Sequence, residues 1–260
     1  MKEQDVLLVK NENGIYTLTI NLPQKHNILT PETFTKLSES LRSAGEDRNS
    51  RAVILRGAGQ KAFSAGYDIS HLTSVEDADN EDPLEDVIMA IENCSIPVIA
   101  MIYGYCIGAG CGLATACDLR LAAENVQLGI TAVKLGVVYP PSATLRLINL
   151  VGIAAAKEML YTGRMIDAIK AREIGLVDQV VPQKFLAKTT YDLAREIANN
   201  SPLSVRGSKR IVSRFINYHS PNPEVREEFL SLQKRAAESR DLNEGSRAFI
   251  EKRKPEFRGE

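Results

Sequence analysis

Residues 15–21 alternate Ile15, Thr17 and Thr19 with Tyr16, Leu18 and Ile20, the two-residue period of a half-buried strand. Residues 6–10 precede them as a first strand, and Asn13-Gly14 supplies the hairpin turn. The period then lengthens. Thr30-Pro31 provides an N-cap and a first helical residue, and Phe34, Leu37 and Leu41 fall on one helical stripe. The opening unit is therefore ββα. Strand followed by helix recurs at residues 52–56, at 97–103 with a helix from about Gly108, and at 119–123 with a helix after Pro140-Pro141. Such connections imply parallel pairing and an α/β fold.

Beyond Val151 the helical period takes over, through 154–161, 167–175, 185–199, 202–218 and final helices from Pro223. Only a short strand at 176–181, ending at Pro182, interrupts it. The chain thus divides into a core over residues 1–200 and a helical region over 201–260.

Composition narrows the function. With 260 residues, 44% hydrophobic and 25% charged, there is enough chain for a large core around a ligand-sized cavity. Its 32 Lys+Arg against 33 Asp+Glu leave no global field for nucleic acid or an anionic membrane. Residues 96–117 run 22 positions without a charge, long enough to span a bilayer. Pro97 and glycines 104, 108, 110 and 112 would break such a helix, so no membrane span is expected. The opening MKEQDVLLVKNENG lacks an apolar signal region, which points to the reducing cytoplasm. Cys94, Cys106, Cys111 and Cys117 then read as buried free thiols. Their spacing is not that of zinc pairs and His26, His71 and His219 are scattered, so no metal is expected. Residues 75–86 carry seven acids in twelve positions, a solvated flap beside a site. They do not form a calcium loop, because Asp82 stands where such a loop needs Gly.

Two small-residue turns carry the chemistry. The first, FSAGYDI at 63–69, follows the strand at 52–56, and the second, GYCIGAGCG at 104–112, follows the strand at 97–103. Leu113 stands where a dinucleotide fingerprint requires its third glycine, and neither a phosphate-binding GxxxxGK[ST] nor a GxSxG occurs. Glycine lets backbone approach a ligand, and a helix opening near Gly108 aims N–H groups and its positive dipole end outward. Two such donors converging would form an oxyanion hole, able to stabilise a thioester carbonyl as it becomes an enolate. Turns that merely pack tightly would look the same.

These turns, with NLPQKHNILT at 21–30, LGV at 135–137, REIGLVDQVV at 172–181 and EGSRAFIEKRKPEF at 244–257, closely resemble the crotonase superfamily over nearly the whole chain. The resemblance implies a crotonase-like spiral of repeated ββα units with a helical C-terminal trimerisation region, self-associating as a trimer or dimer of trimers. It also implies acyl-coenzyme A thioesters as substrates, with coenzyme A arriving as part of the substrate and no separate cofactor. Carried over position by position, the oxyanion N–H groups fall on Tyr67 and Ala109. The coenzyme A-binding residues fall on Lys25, Ala65, Asp68, Ile69 and Gly108, with Phe249 and Lys252 near the C-terminus.

The departures are at the catalytic carboxylates. Family hydratases carry one glutamate after the second glycine turn, in a GCE context, and another about twenty residues later, in a QPE context. This chain has Gly112 and Ala132 there, which removes the general base and acid of hydration. FSAGYDI and TAVKLGVVY at 131–139 instead resemble segments of the methylmalonyl-CoA decarboxylase branch, FSAGHDI and TPVNLGVPY. That likeness makes Thr131 and Tyr139 candidate catalytic groups, whereas Asp118, in the ACD step, reads as a structural residue. Decarboxylation of a malonyl-type thioester needs no base. Hydration or isomerisation of a branched or cyclic acyl-CoA by other groups, and a silent acyl-CoA-binding homologue, remain open.

Overall fold

The structure, a computed structural model, describes residues 5–68, 83–217 and 237–256, together with 227, 230, 231, 234 and 235. The hairpin forms where the alternation predicts it: β1 (Leu7–Glu12) pairs antiparallel with β2 (Ile15–Ile20), Leu7 opposite Ile20. Asn13 and Gly14 turn the chain with φ of 53° and 80°. The first helix, α1 (Pro31–Glu46), starts at the expected cap, the Thr33 N–H donating to Thr30 Oγ1 at 3.2 Å. Phe34, Leu37 and Leu41 bury its inner face.

The ββα unit then repeats. β3 (Ala52–Gly57), β4 (Ala62–Ser64) and α2 (Pro83–Asn93) make the second unit, and β5 (Val98–Ile102), β6 (Tyr105–Ile107) and α3 (Ala109–Ala116) the third. β7 (Leu119–Ala123), β8 (Gln127–Gly129) and α4 (Pro141–Thr162) make the fourth, followed by β9 (Ile166–Asp167), α5 (Ala168–Glu173) and β10 (Gln179–Val181). From the second unit on, the leading strand enters a six-stranded sheet, β1-β2-β3-β5-β7-β10, and the trailing strand a four-stranded sheet, β4-β6-β8-β9. Pairing from β2 to β10 across the large sheet is parallel throughout. The chain therefore climbs as a spiral with a helix on each turn, in the crotonase-like manner the resemblance implied.

Two expectations change. Residues 62–64 and 105–107, read from sequence within turns, are the strands β4 and β6, and residues 127–129 form β8 beside them. Three residues cannot display a period, and their strand character comes from the neighbours they pair with. The acidic flap expected over 75–86 is shortened at its end. Residues 75–82 lie outside the described residues, whereas 83–86 open α2, where the burial of Leu84, Val87, Ile88 and Ile91 outweighs local acidity.

Three further helices, α6 (Leu186–Asn199), α7 (Pro202–Asn217) and α8 (Arg240–Ile250), follow among the described residues. A buried lysine docks α7. Lys209 Nζ donates to the carbonyls of Ile91 and Ile96, each at 3.0 Å, and pairs with Asp118 at 2.7 Å. Asp118 also accepts the Val98 N–H at 2.7 Å, so its carboxylate belongs to the frame. All four cysteines are free and buried, and burial pushes the Cys117 thiol up to about 12 and that of Cys106 well above its ordinary value. The uncharged stretch 96–117 is divided among β5, β6 and α3, and no helix of the described residues is long and apolar enough to cross a membrane.

Replacing Lys209 with Met leaves two carbonyls without their side-chain donor and Asp118 without its counter-charge. The expected loss is about 3 kcal/mol in denaturant unfolding. A loss below about 1 kcal/mol, the scale of an exposed pair, would mean that α7 is held chiefly by its apolar contacts.

Candidate active site

Parallel strands β4, β6 and β8 lie side by side and end at the same edge of the small sheet. Their register aligns Ser64 with Cys106 and Ile107 with Gly129. Counted from the aligned Ser64, Cys106 and Leu128, Tyr67, Ala109 and Thr131 each lie three residues on. The spiral repeat thus gives three candidates separated by tens of residues matching register positions, at the strand ends where parallel sheets commonly hold ligands.

Glycines allow the first two turns to touch. A Cβ on Gly66 (φ +92°) would lie 2.9 Å from the Ile107 carbonyl oxygen and 3.3 Å from the Ala109 nitrogen. A Cβ on Gly110 would lie 2.6 Å from the Ser64 carbonyl oxygen. Side chains at either position would force the turns apart. The Gly66 N–H donates to Ser64 Oγ at 3.1 Å, which tightens the first turn. Leu29 then pairs across to this segment, its N–H donating to the Gly66 carbonyl at 2.8 Å and its carbonyl accepting the Asp68 N–H at 3.1 Å. In such a parallel bridge the N–H of Tyr67 points away from Leu29.

Ala109 is the first residue of α3, and Gly108 is its N-cap with φ 55° and ψ −121°, a conformation suited to glycine. The Gly108 N–H donates to the Gly129 carbonyl at 2.9 Å, whereas the Ala109 N–H belongs to the helix's unpaired first turn. No acidic residue occupies that turn, so the positive end of the helix dipole is not offset locally.

One helical turn further along α3, Gly112 faces a slot closed from two sides. A Cβ there would meet the Tyr139 hydroxyl oxygen at 2.8 Å and Leu84 Cδ2 at 3.5 Å. The phenol thus occupies the space into which a residue-112 side chain would project. Tyr67, Ala116, Ala132 and Tyr139 all pack, partly buried, against the main core cluster. The Tyr67 ring leans on Phe34, centroids 5.0 Å apart at 47°. Thr131 precedes the 3-10 turn Ala132–Leu135 and caps it with its carbonyl, accepting from Lys134 N–H at 2.9 Å, while its side chain makes no capping bond. Helix α8 backs this turn closely, since a Cβ on Gly245 would come within 2.6 Å of the Leu135 carbonyl oxygen.

The expected coenzyme A residues divide into two groups. Lys25, Ala65 and Asp68 come together: Ala65 N–H donates to the His26 carbonyl at 3.0 Å, and Lys25 Nζ lies 4.0 Å from Asp68 Oδ2. Phe249 and Lys252 are exposed at the end of α8, and Ile69 lies outside the described residues. Sequence reasoning missed Asn27, Phe34 and Leu84. Buried Asn27 donates to the carbonyls of Ala58 and Ala62 at 3.0 and 2.8 Å and accepts Leu22 N–H at 3.1 Å, pinning the Lys25 segment beside β4. A polar residue between apolar Ile28 and Leu29 and the Lys25-His26 pair was its only sequence signal. Among the described residues, no group of His, Cys, Asp and Glu is disposed to hold a metal.

A family profile for enoyl-CoA hydratase/isomerase matches residues 10–260. The chain is 32% identical to a short-chain-enoyl-CoA hydratase of Clostridium acetobutylicum, covering 98% of each. It is 30% identical to a 2,3-dehydroadipyl-CoA hydratase of Escherichia coli, covering 97% of this chain and 98% of the other. Among solved structures it is similar to methylmalonyl-CoA decarboxylase complexed with 2S-carboxypropyl-CoA, with 29% identity, a TM-score of 0.92 and all of both chains covered. Repeated ββα architecture, paired glycine turns and these full-length matches agree, and the chain belongs to the enoyl-CoA hydratase/isomerase family of the crotonase superfamily.

Proposed function

We propose that this acyl-CoA enzyme decarboxylates a short malonyl-type coenzyme A thioester. The carrying observation is the Tyr139 hydroxyl in the slot at Gly112, with Ala132 at the other position where family hydratases hold a glutamate. In this reading the bond between the α-carbon and its carboxylate breaks and its electron pair moves into the thioester carbonyl. The N–H groups of Tyr67 and Ala109 receive the resulting enolate oxygen, each donor lowering the barrier by about 3 kcal/mol. Carbon dioxide departs, and the α-carbon takes a proton that Tyr139 delivers through water. A phenol is neutral near pH 7 in its ordinary range, so it can donate without prior activation.

Thr131, at the register position past β8 that matches Ala109 past β6, orients the carboxylate. Gly108 and the Lys25, Ala65, Asp68 and Ile69 segment hold coenzyme A, with Phe249 and Lys252 contributing from the C-terminal helices, in a trimer from a neighbouring copy. The chemistry calls for no group beyond the substrate's own coenzyme A. Exposed Leu203, Ile211, Val212, Phe249 and Ile250 support self-association through that region as a trimer or dimer of trimers. A second reading, hydration or isomerisation of a branched or cyclic enoyl-CoA, is favoured by the full-length hydratase relatives.

A mixed panel of methylmalonyl-, ethylmalonyl-, crotonyl- and cyclic enoyl-CoA separates the two by mass-resolved turnover. Loss of carbon dioxide from a malonyl-type member is expected, and water addition with malonyl thioesters untouched would overturn the proposal. Tyr139→Phe is expected to lower kcat by about 10²-fold or more while KM moves less than about threefold. Unchanged kcat would remove Tyr139 from the chemistry. Gly112→Glu together with Ala132→Glu is expected to leave crotonyl-CoA hydration within about tenfold of the parent, because the new side chain meets the Tyr139 hydroxyl and a base by itself does not hold a water in line. A gain of about 10²-fold would show a pocket already shaped for water.

A further inference from the structure

Helix α3 carries both Ala109 and Gly112 and packs against α2 on one side and α4 on the other. The two side chains that close over Gly112 come from those flanks: Leu84 from the start of α2 and Tyr139 from the segment entering α4. Directly behind them the flanks are tied together. Ser142 Oγ, three residues past Tyr139, donates to Glu85 Oε2, next to Leu84. One turn further, Arg146 forks onto Glu92 through Nε at 2.5 Å and Nη2 at 2.9 Å, and its Nη2 lies 3.7 Å from Glu85 Oε1.

This cluster is largely buried, with Glu85 the most exposed of its charged members. The Arg146 side chain is 11% exposed and that of Glu92 18%. Arg146 Nη1 is buried with no hydrogen-bond partner among the described residues. The two acids lie two turns apart on one face of α2 and grip two residues one turn apart on α4. A purely apolar contact between these helices would tolerate sliding, whereas a bidentate buried pair has one geometry. The start of α4 needs such an anchor. Pro140 and Pro141 supply no N–H, its N-cap makes no side-chain bond, and its first turn contains no acid, so Glu85 supplies the negative charge from the neighbouring helix.

We infer that the Ser142/Arg146–Glu85/Glu92 clamp sets the width of the slot at Gly112 and holds the Tyr139 phenol in it, making Arg146 a positioning residue. The inference rests on the reading of Tyr139 above.

Two readouts on the full-length protein test it. With tyrosines labelled at the ζ-carbon, one of the eight resonances is assigned to Tyr139 by its absence in Tyr139→Phe. Arg146→Lys, which keeps the charge and loses the fork, is expected to shift that resonance and leave that of Tyr191, which packs against the second core cluster and bonds Thr17, in place. Turnover of the accepted thioester is expected to fall roughly 10- to 100-fold in Arg146→Lys, and less than about twofold when the same change is made in Tyr139→Phe. An unmoved Tyr139 resonance, or equal losses in both backgrounds, would overturn the inference. Should Tyr139→Phe itself leave turnover unchanged, the functional reading fails, and the resonance alone still decides whether the clamp positions the ring. Glu85→Gln, nearly the same shape, gives the same two readouts if Arg146→Lys does not fold.

Discussion

The close approach of two backbone turns governs this molecule. A Cβ on Gly66 would lie 2.9 Å from the Ile107 carbonyl oxygen and one on Gly110 2.6 Å from that of Ser64, closer than real Cβ atoms approach. Because β4 and β6 are parallel neighbours in successive units, the same contact fixes how one turn of the spiral stacks on the next. Architecture and candidate site are therefore one packing problem. A substitution that opened the turns would disturb both, and this couples stability to function at these positions.

Around that contact the protein uses polar groups to fix helices and apolar groups to fill space. Lys209 and Asp118 anchor α7 to the strand ends of the large sheet, and Arg146 with its two acids anchors α4 to α2. Each cluster is largely buried, where one missing partner costs far more than at the surface. The apolar core supplies most of the folding free energy, and these charged contacts select one register among several that greasy helices permit.

On the proposed reading, the slot at Gly112 lets a family scaffold change its chemistry with few substitutions. Gly112 leaves room on α3, and a phenol entering from the neighbouring segment fills it. A carboxylate activates water, whereas a neutral phenol donates a proton or a hydrogen bond. The rest of the frame, including both N–H donors, need not move.

Much was legible before folding is considered. The ββα opening followed from alternation at 15–20, the cap at Thr30 and the stripe through Phe34, Leu37 and Leu41, all local properties that short windows contain. The two glycine turns and the gaps at Gly112 and Ala132 were equally visible, since motif chemistry is written in residue type and spacing. Other features were decided only in three dimensions. β4, β6 and β8 have three residues each and no period, so pairing alone makes them strands. Alignment of Tyr67, Ala109 and Thr131 depends on sheet register, and the meeting of Tyr139 with Gly112 spans 27 positions. Leu84 was hidden in an acidic stretch because its burial belongs to the face of α2 and not to its sequence neighbours. Local propensity and residue chemistry are carried by the chain itself, whereas proximity between distant residues is a property of packing, and the candidate site is built from proximity.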